Sequence, residues 1–177
     1  YNLHYFDDLN AVNSDKRKEW HDSLIQKWIK ENAPGCGNGW EPYPSSLRIV
    51  NWIKWSLLGA DIKQGWHDSL AVQVRYLSQN LEYHILGNHL FSNAKALIYA
   101  GLYFQGIEAE KWYKTGITIF NKELQEQVLP DGGNFELSPM YHAIFLEDLL
   151  DIFNIHQAFN KQFPYDITNK ITSMFDW

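Results

Sequence analysis

The sequence predicts an all-α protein. Apolar residues recur at helical spacing along most of its 177 residues, and no stretch alternates apolar and polar residues over a useful length. The segments between the periodic stretches are short and rich in Gly, Pro and Asn. Short links favour antiparallel packing of consecutive helices. The expected architecture is therefore a set of antiparallel helix hairpins in a single helical domain spanning 1–177.

The elements follow in order. "DKRKEWHDSLIQKWIKEN" places Trp20, Leu24, Ile25, Trp28 and Ile29 on one stripe, with Lys and Glu on the other side. "SSLRIVNWIKWSLLG" comes next, its stripe made by Leu47, Val50, Ile53 (or Trp52) and Leu57, with Gly59 ending it as a glycine past a helix C-terminus does. Further helices are expected at about 66–85, 88–104, 108–129 and 138–159, with a last one from about 165 onward. "DITNKITSMFDW" stops inside a helical pattern with no cap, so the chain is expected to be a fragment of something longer.

Composition narrows the function. A formal charge of −6 argues against a nucleic-acid or membrane-surface binder, since both need a basic face. No apolar run reaches the roughly 18 residues of a membrane helix. Aromatic residues make up 16%, with eight Trp among them, so several rings are expected at a rim where a ligand could stack. Cys36, the single cysteine, lies in "PGCGNG" without an adjacent base and reads as an incidental thiol. The seven His include no metal-binding pair on a clear helix face, so neither a metal nor a cofactor is expected. The first residue is Tyr1, and the compartment is left open.

Antiparallel succession has a geometric consequence. Helices starting near 44, 88 and 138 point the same way, and their N-termini share one rim with "APGCGNGWEPYP", "HILGN" and "PDGGNFELSP". Helix N-termini are electropositive, so such a rim suits a substrate carrying negative charge.

The candidate residues gather there. Ser138 reads as an N-cap and Pro139 as the first helical residue, which puts Tyr141 in the first turn, near the positive helix end and beside Asp131, Asn134, Glu136 and His142. Tyr141 is read either as a core aromatic or as an acid–base group. Asn88 is either an N-cap or an amide donor aimed at a carboxylate or developing oxyanion, with His84 and His89 flanking it. "GNGWEPYPSSLR" adds Trp40, Glu41, Tyr43 and Arg48. Arg48 could clamp an acidic sugar or pair internally with an acid, and Glu41 with Glu136 could serve as a glycosidase carboxylate pair.

Four segments together, "YNLHYFDDL", "NGWEPYPSSLRIVNWIKW", "NLEYHILGNHLFSNAKAL" and "LPDGGNFELSPMYHAIFLEDLLD", resemble the helical N-terminal domain of the heparinase II/III-like polysaccharide lyases. The resemblance implies part of an incomplete α/α toroid, followed in that family by a C-terminal β-sandwich domain that this chain lacks. It also implies β-elimination on a uronic-acid polysaccharide, with Asn88 neutralising the uronate carboxylate and Tyr141 as catalytic acid or base. A further catalytic His is implied in the family's C-terminal domain, and a periplasmic or secreted protein is compatible with it. Two rival classes stand beside this reading: a non-catalytic carbohydrate-binding or assembly module, and a helical-ring glycoside hydrolase using Glu41 or Glu136.

Overall fold

The computed structural model describes residues 2–85, 87–163 and 167–177. Among them are seven α-helices: α1 (Lys18–Glu31), α2 (Pro42–Leu57), α3 (Gln64–Gln79), α4 (Asn88–Tyr103), α5 (Ile107–Gln127), α6 (Pro139–Ala158) and α7 (Thr168–Asp176). Extended pairing among the described residues is limited to an isolated bridge between Val128 and Asn134. The all-α class is thus the observed one, and each expected helix is present, although α3 stops at Gln79 and not near 85. No helix among the described residues is long and apolar enough to cross a membrane. The chain packs as two compact units, Tyr1–Leu81 and Glu82–Trp177.

In the first unit α1 and α2 run antiparallel. His21 meets Trp55 edge-on and Trp28 meets Trp52 edge-on, while the indole N–H of Trp40, just before α2, donates to the Asn32 carbonyl just after α1. α2 and α3 are antiparallel as well, since Arg48 bonds Gln73 and Trp55 stacks on Trp66. The core is aromatic: Phe6, Trp28, Trp40 and Trp52 are buried and in mutual ring contact. The stripe expected on α1 is rotated by about one position. Ile25 and Trp28 face the core, but Trp20 is 72% exposed and Leu24 43%. His21 takes the inward place because its Nε2 lies 2.8 Å from the Asp8 carboxylate, so that one ring nitrogen is satisfied while the ring packs on Trp55. Leu57, expected inside, is likewise exposed, and Trp52 and Ile53 are both buried.

In the second unit α4 is the central element, and its buried residues include the unbroken run Leu90 to Ala100. An all-round buried helix needs neighbours on several sides. α5 packs antiparallel against α4 at close range: a Cβ on Gly116 would lie 2.9 Å from the Ala94 carbonyl oxygen, so only glycine admits this approach. α6 packs against α4 in parallel, because contacts advance along both helices together. Phe91 meets Phe145 with ring centroids 4.1 Å apart, Lys95 bonds Asp148 and Asp151, and the Tyr99 hydroxyl donates to the Asp151 carbonyl at 3.0 Å. The parallel relation that hairpin parity requires of α4 and α6 is the one observed.

Lys95 deserves its buried position energetically because two carboxylates meet it. Burial alone would lower the pKa of its ammonium, and the charges of Asp148 and Asp151 reverse this, leaving it raised. The cluster therefore stays charged and fixes the axial register of the two helices.

Candidate active site

The parallel register of α4 and α6 determines what stands at their N-terminal ends. Continuing one turn back from the Phe91–Phe145 contact brings Asn88, the first residue of α4, level with Tyr141 and His142 in the first turn of α6. Neither helix carries an acidic residue in its first turn, so the positive helix ends are not offset from within those turns.

Asn88 is a helical residue here and not the N-cap. Gly87 holds that place with φ 92°, a left-handed value that favours glycine. The Glu136 carboxylate also lies against Gly87, with Oε1 3.1 Å from where a Cβ would be. The amide of Asn88 is therefore not tied to the capping role that its sequence setting suggests. Ser138 and Pro139 do occupy the N-cap and first helical position of α6, although Ser138 satisfies the helix through its carbonyl, which accepts from the His142 N–H at 2.8 Å, and makes no side-chain cap bond.

The turn before α6 is self-contained. Asp131 accepts from the Gly133 N–H at 3.0 Å, the Leu129 N–H donates to the Gly133 carbonyl, and the buried Asn134 accepts from the Glu136 N–H at 3.0 Å. The Phe135 N–H donates to the Gln127 carbonyl, and the Gln127 amide donates both to the Gly87 carbonyl and to Glu123. This chain of bonds joins the end of α5, the start of α4 and the 131–136 turn. Glu136 is exposed and Tyr141 half-buried.

Ahead of α4, Glu82 folds back on its first turns. α3 ends at Gln79, earlier than its pattern suggests, because the Asn80 amide donates to the Tyr76 carbonyl at 2.8 Å and leaves Glu82 to turn inward. The buried Glu82 receives the Asn93 amide at 3.1 Å, its own N–H donates to Asn93 Oδ1 at 2.9 Å, and its Oε1 lies 3.1 Å from His89 Nδ1. Glu82 and Asn93 escaped the sequence reading, since an acid in a connection usually faces water. The signal available was the spacing of His89 and Asn93, one turn apart on α4.

The remaining expected site residues separate by environment. His84 is exposed. His142 packs its ring on Trp177 at 4.7 Å and bonds the Met174 carbonyl through Nε2 at 2.9 Å, which makes it the anchor of α7 on α6. In the first unit Glu41 is exposed and Tyr43 half-buried, its ring edge-on to Tyr5 at 6.1 Å. Trp40 is only 2% exposed, wedged between Trp28 and Tyr76, so it is a core ring and not a stacking platform.

Arg48 is corrected in the same way. It is fully buried, lies over the Trp28 ring at 3.9 Å, and donates to Gln73 Oε1, the Gly39 and His4 carbonyls and Ser45 Oγ. Burial pulls its pKa down to about 9, which leaves it cationic at neutral pH. Its donors are spent on neutral oxygens that tie α2 to α3 and to the preceding loops, so it presents no fork to a sugar carboxylate.

This arrangement has known counterparts. Residues 15–177 match the family model described as Heparinase II/III N-terminus. A heparin-sulfate lyase of Bacteroides stercoris is 40% identical over 95 residues, 52% of this chain and 14% of that protein. One of Pedobacter heparinus is 33% identical over 110 residues, 60% of this chain and 16% of that protein. One of Bacteroides thetaiotaomicron is 28% identical over 170 residues, 85% of this chain and 24% of that protein. The chain thus spans less than a quarter of the length of these curated relatives. A crystal structure of heparinase III superposes with a TM-score of 0.76 at 25% identity, covering 97% of this chain and 28% of that one. The fold of a heparan sulfate lyase mutant from Pedobacter heparinus matches with a TM-score of 0.75 at 22% identity, covering 98% of this chain and 30% of that one. With the match extending over both compact units and nearly all of the sequence, the chain belongs to the Heparinase II/III N-terminus family.

Proposed function

We propose that this chain is the helical part of a polysaccharide lyase that cleaves a uronic-acid-containing polysaccharide by β-elimination, with Asn88 and Tyr141 in its catalytic set. The observation that carries the reading is the parallel register of α4 and α6, which brings an amide and a phenol level at two positive helix ends. The names of the relatives, heparin-sulfate lyases, point to the same chemistry.

The chemistry accounts for the residue types. The C5 proton of a uronate is too weakly acidic to leave while the adjacent carboxylate bears its full charge. A donor on that carboxylate spreads the charge of the enolate-like intermediate and lowers the barrier, as an oxyanion hole does; the Asn88 amide takes this part. A base removes the C5 proton, the O4 bond breaks with formation of a C4–C5 double bond, and an acid protonates the departing O4. The Tyr141 hydroxyl serves one or both transfers. Trp40 and Arg48 have no place in the substrate contacts, whereas Glu136, His89, His84, Glu41 and Tyr43 are retained as candidates.

The test uses the full-length protein and a panel of uronate polymers, read by ultraviolet absorbance of the C4–C5 double bond. New reducing ends without that absorbance would mean hydrolysis, and binding without either product would mean a carbohydrate-binding module. Tyr141→Phe should lower turnover by at least the roughly 10²-fold typical of general acid–base groups, while stability changes by no more than about 1–2 kcal/mol. Asn88→Ala should lower turnover by a similar order. A fully active Tyr141→Phe enzyme would end the assignment of that residue.

A further inference from the structure

We propose that the solvent face of α5 carries a second polysaccharide-binding site, centred on the Tyr83 ring between a hydroxyl-binding cavity at Glu123 and an anion-binding one at Lys114, along which the polymer continues beyond the catalytic centre. The inference rests on the lyase reading above for the class of polymer and adds a site which that reading does not use.

Two cavities share the Tyr83 ring. The smaller, of about 90 Å³, is lined by Tyr83, Gly87, Glu123, Gln127 and Phe135 among others, and the larger, of about 250 Å³, by Tyr83, Lys114, Thr115 and Thr118. From Lys114 to Gln127 the lining residues of α5 extend about 20 Å along the helix axis, which suits a chain of sugars better than a single one. Gly87 directly precedes Asn88, so the smaller cavity opens beside the catalytic centre. Tyr83 is 63% exposed, yet the turn that carries it is fixed. The buried Glu82 exchanges two hydrogen bonds with Asn93, and the Ile85 N–H donates to the Glu82 carbonyl at 3.1 Å. A ring presented from a fixed turn offers its face to a sugar at little cost in ordering.

The two cavities differ in what they accept. Glu123 is 6% exposed, and a buried carboxylate is costly unless its oxygens are met. Gln127 donates to its Oε2 at 2.8 Å; among the described residues no donor meets Oε1, and Glu123 lines the smaller cavity. A carboxylate only accepts, so the group that completes it is a hydroxyl or an amine. Glu123 and Glu126 outnumber Lys122 in that lining, which disfavours an anion there. The larger cavity has the opposite sign. Lys114 is the charged residue among those lining it and has no ion-pair partner among the described residues. The Thr118 hydroxyl donates to the Lys114 carbonyl at 2.9 Å, which leaves its oxygen to accept from a sugar hydroxyl. A donor-seeking cavity and an anion-seeking one on either side of an aromatic ring fit a polymer in which hydroxyl- or amine-bearing sugars alternate with acidic ones.

The experiment measures Kd for heparan sulfate in the full-length protein carrying Tyr141→Phe, and again after adding Tyr83→Ser, Lys114→Glu or Glu123→Gln. Tyr83→Ser and Lys114→Glu should each raise Kd at least about fivefold, and Glu123→Gln about threefold. Tyr83 and Lys114 are exposed, so their replacement should leave the melting temperature unchanged and the test stands even where Glu123→Gln folds poorly. Lys27→Glu, exposed on α1, makes the same change in net charge and should leave Kd as it was. With Tyr141 restored, Tyr83→Ser should raise KM for heparan sulfate and keep kcat within about twofold, since no group at the catalytic centre changes. A Kd unchanged in Tyr83→Ser, a Lys114→Glu effect no larger than that of Lys27→Glu, or no binding of heparan sulfate at all would each overturn the site. The lyase reading fails by a different result, the absence of ultraviolet-absorbing product from every uronate polymer, and the same Kd series then still decides the site.

Discussion

Arg48 shows how a single residue can carry opposite meanings in sequence and in structure. In "WEPYPSSLR" it stands near the start of a helix close to an acid and two aromatic rings, the setting of a sugar clamp. In the folded chain its guanidinium is buried against Trp28 and bonded to four neutral acceptors. The substitution Arg48→Leu would take a charged donor from each of those acceptors, and hydrogen bonds to a charged group contribute about 1.5–3 kcal/mol each, so the expected loss of stability is about 3 kcal/mol or more. Denaturant unfolding measures it. A substrate clamp behaves otherwise: KM would rise with stability little changed. The sequence could not separate these outcomes because the deciding partners, Gln73 and the Gly39 and His4 carbonyls, come from separate segments. Glu82 was illegible for the same reason, with its partners on a helix that starts after a turn. The helix starts that carry Asn88 and Tyr141 were legible because local signals, Gly before one and Ser-Pro before the other, mark them.

At the scale of elements, the helices were legible from periodicity, but the face each one buries was not. On α1 a shift of one residue exchanges Trp20 for His21, and only the Asp8 contact settles which is inside. The cluster of Lys95, Asp148 and Asp151 is the stronger determinant, because it sets the α4–α6 register on which the alignment of Asn88 with Tyr141 depends. Lys95→Met should cost about 3–5 kcal/mol by leaving two carboxylates uncompensated. Replacing Asp148 and Asp151 by Asn in the same variant should recover part of the loss, which thermal melting of the two proteins would show. At the other end of α6, the buried His156 is held between the Ile152 carbonyl at 2.7 Å and the Tyr113 hydroxyl at 3.0 Å. Burial lowers its pKa, the Ile152 bond opposes this, and Lys161 adds to it. A folded-state pKa below the unfolded value of about 6.5 means that the unfolded chain binds the proton more readily. The stability His156 confers is thus fully present above pH 6.5 and lost as pH falls through the folded pKa. A melting profile below pH 6.5 should slope less steeply in His156→Gln than in the wild type, and an unchanged slope would assign the acid sensitivity to other groups.

At the scale of the whole molecule, the family match and the catalytic reading concern different lengths of chain. The match covers residues 15–177, whereas the relatives whose activity is named are more than four times as long as the region they share with this chain. Elimination needs a donor on the carboxylate, a base for C5 and an acid for O4. In the proposed reading Asn88 would supply the first and Tyr141 one or both proton transfers, and the family resemblance implies a further histidine from a C-terminal domain. Removing one general acid–base group typically costs 10²–10⁴-fold in rate. The 177-residue chain on its own should therefore turn over uronate polymer at least about 10²-fold more slowly than the full-length protein, with thermal melting used to verify that it is folded. The absorbance assay at equal molar concentration checks this directly. Activity equal to that of the full-length protein would place the whole catalytic set in the helical part, and the second proton-transfer group would then have to be sought among His89, Glu136 and His84 at the start of α4 and α6.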